Sequence, residues 1–176
     1  VTISAADSDN GGTGCVGDPY ILTRTYTISD PGDGTSPAMQ QTCIVTYTVE
    51  DDEAPIIICP GPLSTQCLLS DLPAYTDLTA FTAAGGFASD NCGITAFSLS
   101  NEVTTGTCPA ATVRTYQVED ACGTTSTCNQ IITVDDTEPP MISCPSIETD
   151  CALSDIPAYT GLAEFLADGN TTSDNC

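Results

Sequence analysis

Four stretches of the chain alternate apolar and polar residues at a period of two: TRTYTIS from Thr23, CIVTYTVE from Cys43, VRTYQVED from Val113 and NQIITVDD from Asn129. Successive side chains of a strand point to opposite faces, so this pattern predicts half-buried β-strands. β-Branched and aromatic residues fill them, and Gly, Pro, Asp and Ser bound them. One segment departs from the pattern. YTDLTAFTAAGG places Leu78 and Phe81 three residues apart and ends on Gly85–Gly86, which predicts a short helix capped by Thr76 or Asp77. YTGLAEFLADGN repeats it with Leu162, Phe165 and Leu166.

The repetition is general. Cys67–Cys92 matches Cys151–Cys176 without a gap, 84 residues on (67 to 151). Cys43–Pro60 matches Cys128–Pro145, 85 residues on (43 to 128), RTYTI at Arg24 matches RTYQV at Arg114, and Cys15 sits where Cys108 sits. Residues 55–139 therefore read as one complete repeat, residues 1–54 as the second part of a split repeat, and residues 140–176 as the first part of another. About 85 residues with several short strands fits an antiparallel two-sheet sandwich of immunoglobulin type, with one short helix per repeat. The fold class expected is thus all-β: tandem immunoglobulin-like antiparallel β-sandwich repeats. The split frame is expected to be completed by an adjacent copy, through a continuing chain or through strand donation between chains. Closure of the two ends within one molecule ranks below both, because an intervening sandwich would hold them ~35–45 Å apart.

Composition narrows the function. The chain of 176 residues has a net charge of −22, no histidine, and only Arg24 and Arg114 as cations. Nothing here neutralises phosphates, so nucleic acid and anionic membranes are not expected partners. Histidine acid–base catalysis, Cys–His dyads and lysine Schiff bases lack their residues, and no enzyme is expected. No apolar run reaches the ~18 residues of a membrane span. Eleven cysteines without CxxC or histidine predict a disulfide framework formed in an extracellular, oxidising compartment, and the odd count leaves one thiol over.

Two acidic clusters fall where one repeat would hand over to the next: Glu50, Asp51, Asp52 and Glu53, then Asp135, Asp136 and Glu138. Carboxylates crowded at a joint repel unless neutralised, and Ca2+ accepts six to eight oxygen ligands in flexible geometry. Asp90 and Asp174 of the SDN motifs, with Asp120 or Asp30, are candidates to complete such sites. A solvated acidic linker is the plainer reading, and DPGDG at Asp30–Gly34 reads as a turn. Arg24 and Arg114 are expected to lie across a strand from local carboxylates. Asn170-Thr171-Thr172 is a glycosylation sequon on an expected loop.

The run VRTYQVEDACGTTSTCNQIITVDDTEPPMISCP, with SDNCG upstream, resembles the hyalin-repeat-like, immunoglobulin-like modules of large surface proteins of Bacteroidota, including gliding-type adhesins. The resemblance implies an extracellular or cell-surface, stalk-forming role. Within it, Cys92 is expected to pair with Cys108, and Cys176 with Cys15 of a neighbouring copy. SDPGDGTSPAMQQTC departs from EDACGTTSTC by lacking a counterpart of Cys122. If Cys122 pairs with Cys128, Cys43 is the orphan; if with Cys67, Cys151 is. The function expected is a structural unit of an extracellular filament or stalk, assembled head-to-tail with other copies and stiffened by Ca2+. The alternative is an adhesin repeat that binds a surface glycan.

Overall fold

A computed structural model describes residues 1–32, 34–35, 37–144, 146 and 158–176. The repeat of the Cys67 segment at 151–157, with the candidate orphan Cys151, lies outside the described residues, as does residue 33 of the expected turn. The chain forms two compact units. The first holds Val1–Gly61, Tyr75–Asn101 and Thr115–Gln130; the second holds Pro62–Ala74, Glu102–Arg114 and Ile131–Cys176.

The protein is mostly β. Strands β1 (Thr2–Asp9), β2 (Tyr20–Asp30) and β3 (Met39–Val49) form a three-stranded antiparallel sheet in that order. Strands β4 (Ile56–Ile58) and β6 (Phe87–Ser89) pair antiparallel on either side of helix α1 (Leu78–Ala83) in the sequence. Strands β5 (Leu63–Thr65), β7 (Ile94–Gly106), β8 (Ala110–Asp120) and β9 (Thr125–Val134) form one sheet in the order β5–β9–β8–β7. The β5–β9 pairing is parallel, a departure from the wholly antiparallel expectation. The connection from β5 to β9 carries α1 and three strands, ample chain for the crossover a parallel pair requires. Strands β10 (Met141–Ser143) and β11 (Thr171–Ser173) pair antiparallel, and helix α2 (Leu162–Ala167) lies between them in sequence.

Strand β8 shows why the alternation folds as it does. Ala110, Thr112, Arg114, Tyr116, Val118 and Asp120 are buried, and the residues between them are not. In the first unit Tyr116 sits among Tyr75, Phe81 and Phe97, with ring centroids 5.0–5.9 Å apart around Phe81 and Tyr116. Helix α1 delivers Phe81 to this cluster. Asp77 caps it by accepting a hydrogen bond from Ala80 N at 2.8 Å, and the chain leaves it through Gly85 at φ +95°. Gly86 lies flat against the Phe81 ring, where a Cβ would overlap it.

Stretches that match in sequence form the same elements. Strands β10 and β11 repeat β4 and β6 down to the register, Met141 facing Ser173 as Ile56 faces Ser89. Helix α2 repeats α1, and β2 and β3 repeat β8 and β9. Burial does not repeat. Val118 and Ile132 are 0 % exposed, whereas their matches Ile28 and Tyr47 are 48 % and 43 % exposed. Phe81 is fully buried; its match Phe165 touches Tyr159 at 5.5 Å and is only half-buried.

Among the described residues three disulfides close within the chain: Cys15–Cys122, Cys59–Cys128 and Cys67–Cys176. Cys92 and Cys108 are free, exposed thiols, which corrects the expected pair. One precedes and the other follows β7, whose 13 residues span about 40 Å when extended, whereas a disulfide needs Cα atoms within about 7 Å. Cys176 and Cys15 likewise have partners in their own chain and not in a neighbouring copy. Cys15 is held near Cys122 because Gly14 O accepts the Asp51 N–H at 2.7 Å, and Asp51 itself approaches Asp120 in the β8–β9 turn. Cys122 therefore takes neither partner weighed for it. A carboxylate lies across the strand from each arginine. Arg24 forks onto Asp7 through Nε and Nη2, both at 2.7 Å, and holds the Asp7 carboxyl below its ordinary range. Arg114 is not a surface residue: it points inward and donates to Glu102 Oε2 and Leu72 O, each at 2.6 Å. A buried guanidinium is tolerated only when paired in this way.

Phe81→Ala is expected to destabilise the chain by about 3–5 kcal/mol, because it empties a filled aromatic core. Leu162→Ala on α2, where the side chain is 60 % exposed, is expected to cost less than about 1 kcal/mol in the unassociated chain. Urea titration of both variants checks the contrast.

Candidate metal centre

Three aspartates of the first unit share one arrangement. Asp90 Oδ1 accepts the N–H groups of Cys92 at 2.8 Å and Gly93 at 2.9 Å. Asp120 Oδ1 accepts those of Cys122 at 2.7 Å and Thr124 at 2.8 Å. Asp51 Oδ1 accepts the N–H of Glu53 at 3.4 Å. These are Asx turns, in which the short side chain folds back on its own backbone two residues on. In each case the other oxygen, Oδ2, is buried with no hydrogen-bond partner.

Burial makes this costly. Asp51 is 4 % exposed and Asp120 is 1 % exposed. Their carboxylate oxygens and the Cys122 sulfur lie within 4.8 Å of one another. Like charges at that range repel, and a buried oxygen without a donor loses its hydration uncompensated. Both arginines already have carboxylate partners in Asp7 and Glu102. The Cys122 sulfur is committed to Cys15 and offers no thiolate. The donor set is therefore carboxylate oxygen alone, which suits a hard cation and not zinc.

Cys92 reports on the same cluster. Desolvation first, then the negative charge of Asp51 and a hydrogen bond to its side chain, with the charges of Asp90 and Asp120 adding to them, push its thiol above the ordinary value. Nearby, Thr95 Oγ1 donates to Asp120 O at 2.6 Å and fixes the β8–β9 turn from the side of β7.

The remaining sequence candidates do not join the centre. Glu50 Oε1 accepts the N–H of Gly17 at 3.2 Å in the 14–18 loop. Asp52 and Glu53 are exposed. In the second unit the Asp135 amide donates to Thr65 O at 3.0 Å, Asp136 Oδ1 accepts the N–H of Glu138 at 3.2 Å, and Asp174 Oδ1 accepts the N–H of Asn175 at 2.8 Å. Asp136 is half-buried and Asp174 exposed, so neither is enclosed as Asp51 is. Asn170 of the sequon is 5 % exposed and donates its Nδ2 to Phe165 O at 2.8 Å, so the atom a glycan would occupy is engaged. Sequence reasoning missed the Cys15–Cys122 bond, which holds the Gly14–Asp51 pairing beside Asp120. The signal within reach was the shared Asp-x-Cys-Gly spelling of SDNCG and EDACG, which marks two Asx turns.

No family model, curated protein or solved structure matches the chain.

Cys92 is expected to alkylate more slowly near pH 8 than an unstructured cysteine, because a raised thiol pKa leaves less thiolate. Asp51→Asn is expected to speed the reaction by removing one of the charges that raise it. Timed iodoacetamide labelling with peptide mapping reads both rates; equal rates in the two chains would show that the thiol does not sense the cluster.

Proposed function

We propose that the chain is a structural unit of an extracellular filament or stalk, built of immunoglobulin-like sandwich repeats. Copies join head-to-tail: residues 140–176 of one supply the part of the sandwich that residues 1–54 of the next lack. One observation carries the reading. The inward positions of the complete stretch, Val118 and Ile132, are fully buried, and the matching Ile28 and Tyr47 are open on β2 and β3. On the donating side, Ile142, Leu162 and Leu166 are 43–67 % exposed. A sheet with one apolar face is stable only when a second layer covers it. The complete stretch supplies the template for that layer, with β4, α1 and β6 in the places of β10, α2 and β11. Among the described residues β3 is an edge strand, whereas its match β9 pairs with β5. Among the described residues, three internal disulfides and the absence of any helix long and apolar enough to cross a membrane accord with this setting.

Ca2+ is the proposed ligand of the centre. Asp51, Asp90 and Asp120 would hold it through their unpartnered Oδ2 atoms, and its charge would relieve their mutual repulsion. Asp51 belongs to the split repeat and the other two to the complete one, so the ion sits at a joint and stiffens it. By repeat matching, Asp136, Asp174 and Asp30 of the next copy would form the equivalent joint between copies. A groove of about 410 Å3 beside the repeat-specific loop, lined by Thr2, Ser29, Asp30, Pro31 and Met39 among others, has no aromatic side chain among its described lining on which a sugar would stack.

Ile28→Glu with Tyr47→Glu is expected to abolish association while leaving the far-ultraviolet circular dichroism of the chain unchanged. Sedimentation velocity and negative-stain imaging decide it, and filaments from the double variant would overturn the head-to-tail reading. Saturating Ca2+, at about a hundred times its dissociation constant, is expected to stabilise the chain by about 2.7 kcal/mol. That corresponds to a midpoint rise of roughly 5–10 °C for this size. In EDTA, Asp120→Asn is expected to melt higher than the parent, and in Ca2+ lower. A parent chain whose melting is indifferent to EDTA would remove Ca2+ from the proposal.

A further inference from the structure

The Cys59–Cys128 bond joins the residue after β4 to β9, with Cα atoms 5.5 Å apart. It ties the beginning of the complete stretch to its end, across 69 residues of sequence. The repeat gives both cysteines a counterpart. Cys59 in IIICP matches Cys144 in MISCP, and Cys128 in CNQIITV matches Cys43 in CIVTYTV. Cys144 follows β10 as Cys59 follows β4, and Cys43 lies on β3 as Cys128 lies on β9. Both counterparts are free and exposed in the isolated chain. They belong to opposite halves of the split repeat, so under the head-to-tail reading they meet only at a junction between copies.

We infer that Cys144 of one copy forms a disulfide with Cys43 of the next, so that each junction is covalently sealed after it docks. This inference rests on the head-to-tail reading and adds a site and a chemistry to it. The bond forms by thiol–disulfide exchange with a small-molecule disulfide or a disulfide oxidoreductase. Two thiols and one R–S–S–R become one protein disulfide and two R–SH, with both protons passing to the leaving thiolates. The order follows from the geometry. Neither thiol has its counterpart's partner in the lone chain, and docking supplies it at the spacing that the complete stretch already displays. Cys108 is left outside this scheme. Its match, Cys15, bonds to Cys122, and the 30–43 stretch has no cysteine in the place of Cys122. The same pairing rule thus gives Cys108 no partner in the following repeat.

The test uses the 176-residue chain refolded in a mixture of reduced and oxidised glutathione. Association is read by sedimentation velocity and covalent linkage by electrophoresis in detergent without reductant. A ladder with rungs one chain mass, 18.1 kDa, apart is expected, collapsing to a single band with reductant. The same rule applied to Cys67–Cys176 pairs Cys151 with Cys92 of the next copy, so the variants are made in a Cys92→Ser background, where adding Cys43→Ser alone or Cys144→Ser alone should leave association in native solution intact and should lose the ladder completely. Mixed together, the two variants should give covalent dimers and nothing larger, because one retains only the donating thiol and the other only the accepting one. Native filaments that run as a single band in detergent, or a ladder that survives either substitution, would overturn the inference and leave the head-to-tail reading standing. A chain that sediments as a monomer under all conditions would overturn both.

Discussion

Tyr116 is buried because α1 lowers Phe81 onto it, and much of the structure follows from that contact. A strand that alternates apolar and polar residues shows one apolar face, and the face needs a cover. In the stretch from Pro55 to Pro139, Phe81 of α1 packs on Tyr116, and Cys59 beside β4 is bonded to Cys128 of β9. The β1–β3 sheet carries the same alternation, with Tyr26 and Ile28 in the places of Tyr116 and Val118, and those positions are not closed over. The two sheets differ in what covers them far more than in what they are made of. Hence the proposed assembly requires no new kind of contact, only repetition between copies of a packing the chain already makes within itself.

Charge sets the second constraint. A net charge of −22 with two cations leaves few acids a cationic partner. Among the described acids, Asp51 and Asp120 are buried. The loop at Gly14–Cys15 binds the Asp51 backbone, the Cys15–Cys122 bond fixes that loop to the β8–β9 turn, and Asx turns point each Oδ1 at the backbone. A covalent bond and several backbone hydrogen bonds thus hold buried like charges together. Their Oδ2 atoms are left without a hydrogen-bond partner.

The cysteines divide by what they connect. Cys59–Cys128 closes one repeat on itself. Cys15–Cys122 and Cys67–Cys176 span 107 and 109 residues and join parts of the chain that the self-matching assigns to different repeats. Missing one half of such a pair, at the place of Cys122, is enough to make the total odd.

Much was legible in the sequence. Period-two stretches became β2, β3, β8 and β9; Leu78–Phe81 and Leu162–Leu166 became α1 and α2; and self-matching anticipated that both halves would use the same elements. These are local properties, fixed by side-chain spacing and by turn residues within a few positions. Of the acids named from the sequence, Asp51 and Asp120 come within 4.8 Å of each other. What spacing could not give was partnership across the chain. Cys15 finds Cys122 over 107 residues, and β5 pairs in parallel with β9, because folded layers bring distant segments together and no short-range pattern encodes which. The same holds for burial. Arg114 and Arg24 stand in nearly identical words, yet one is enclosed and the other open, since burial is decided by the layer that packs on top and not by the strand that carries the residue.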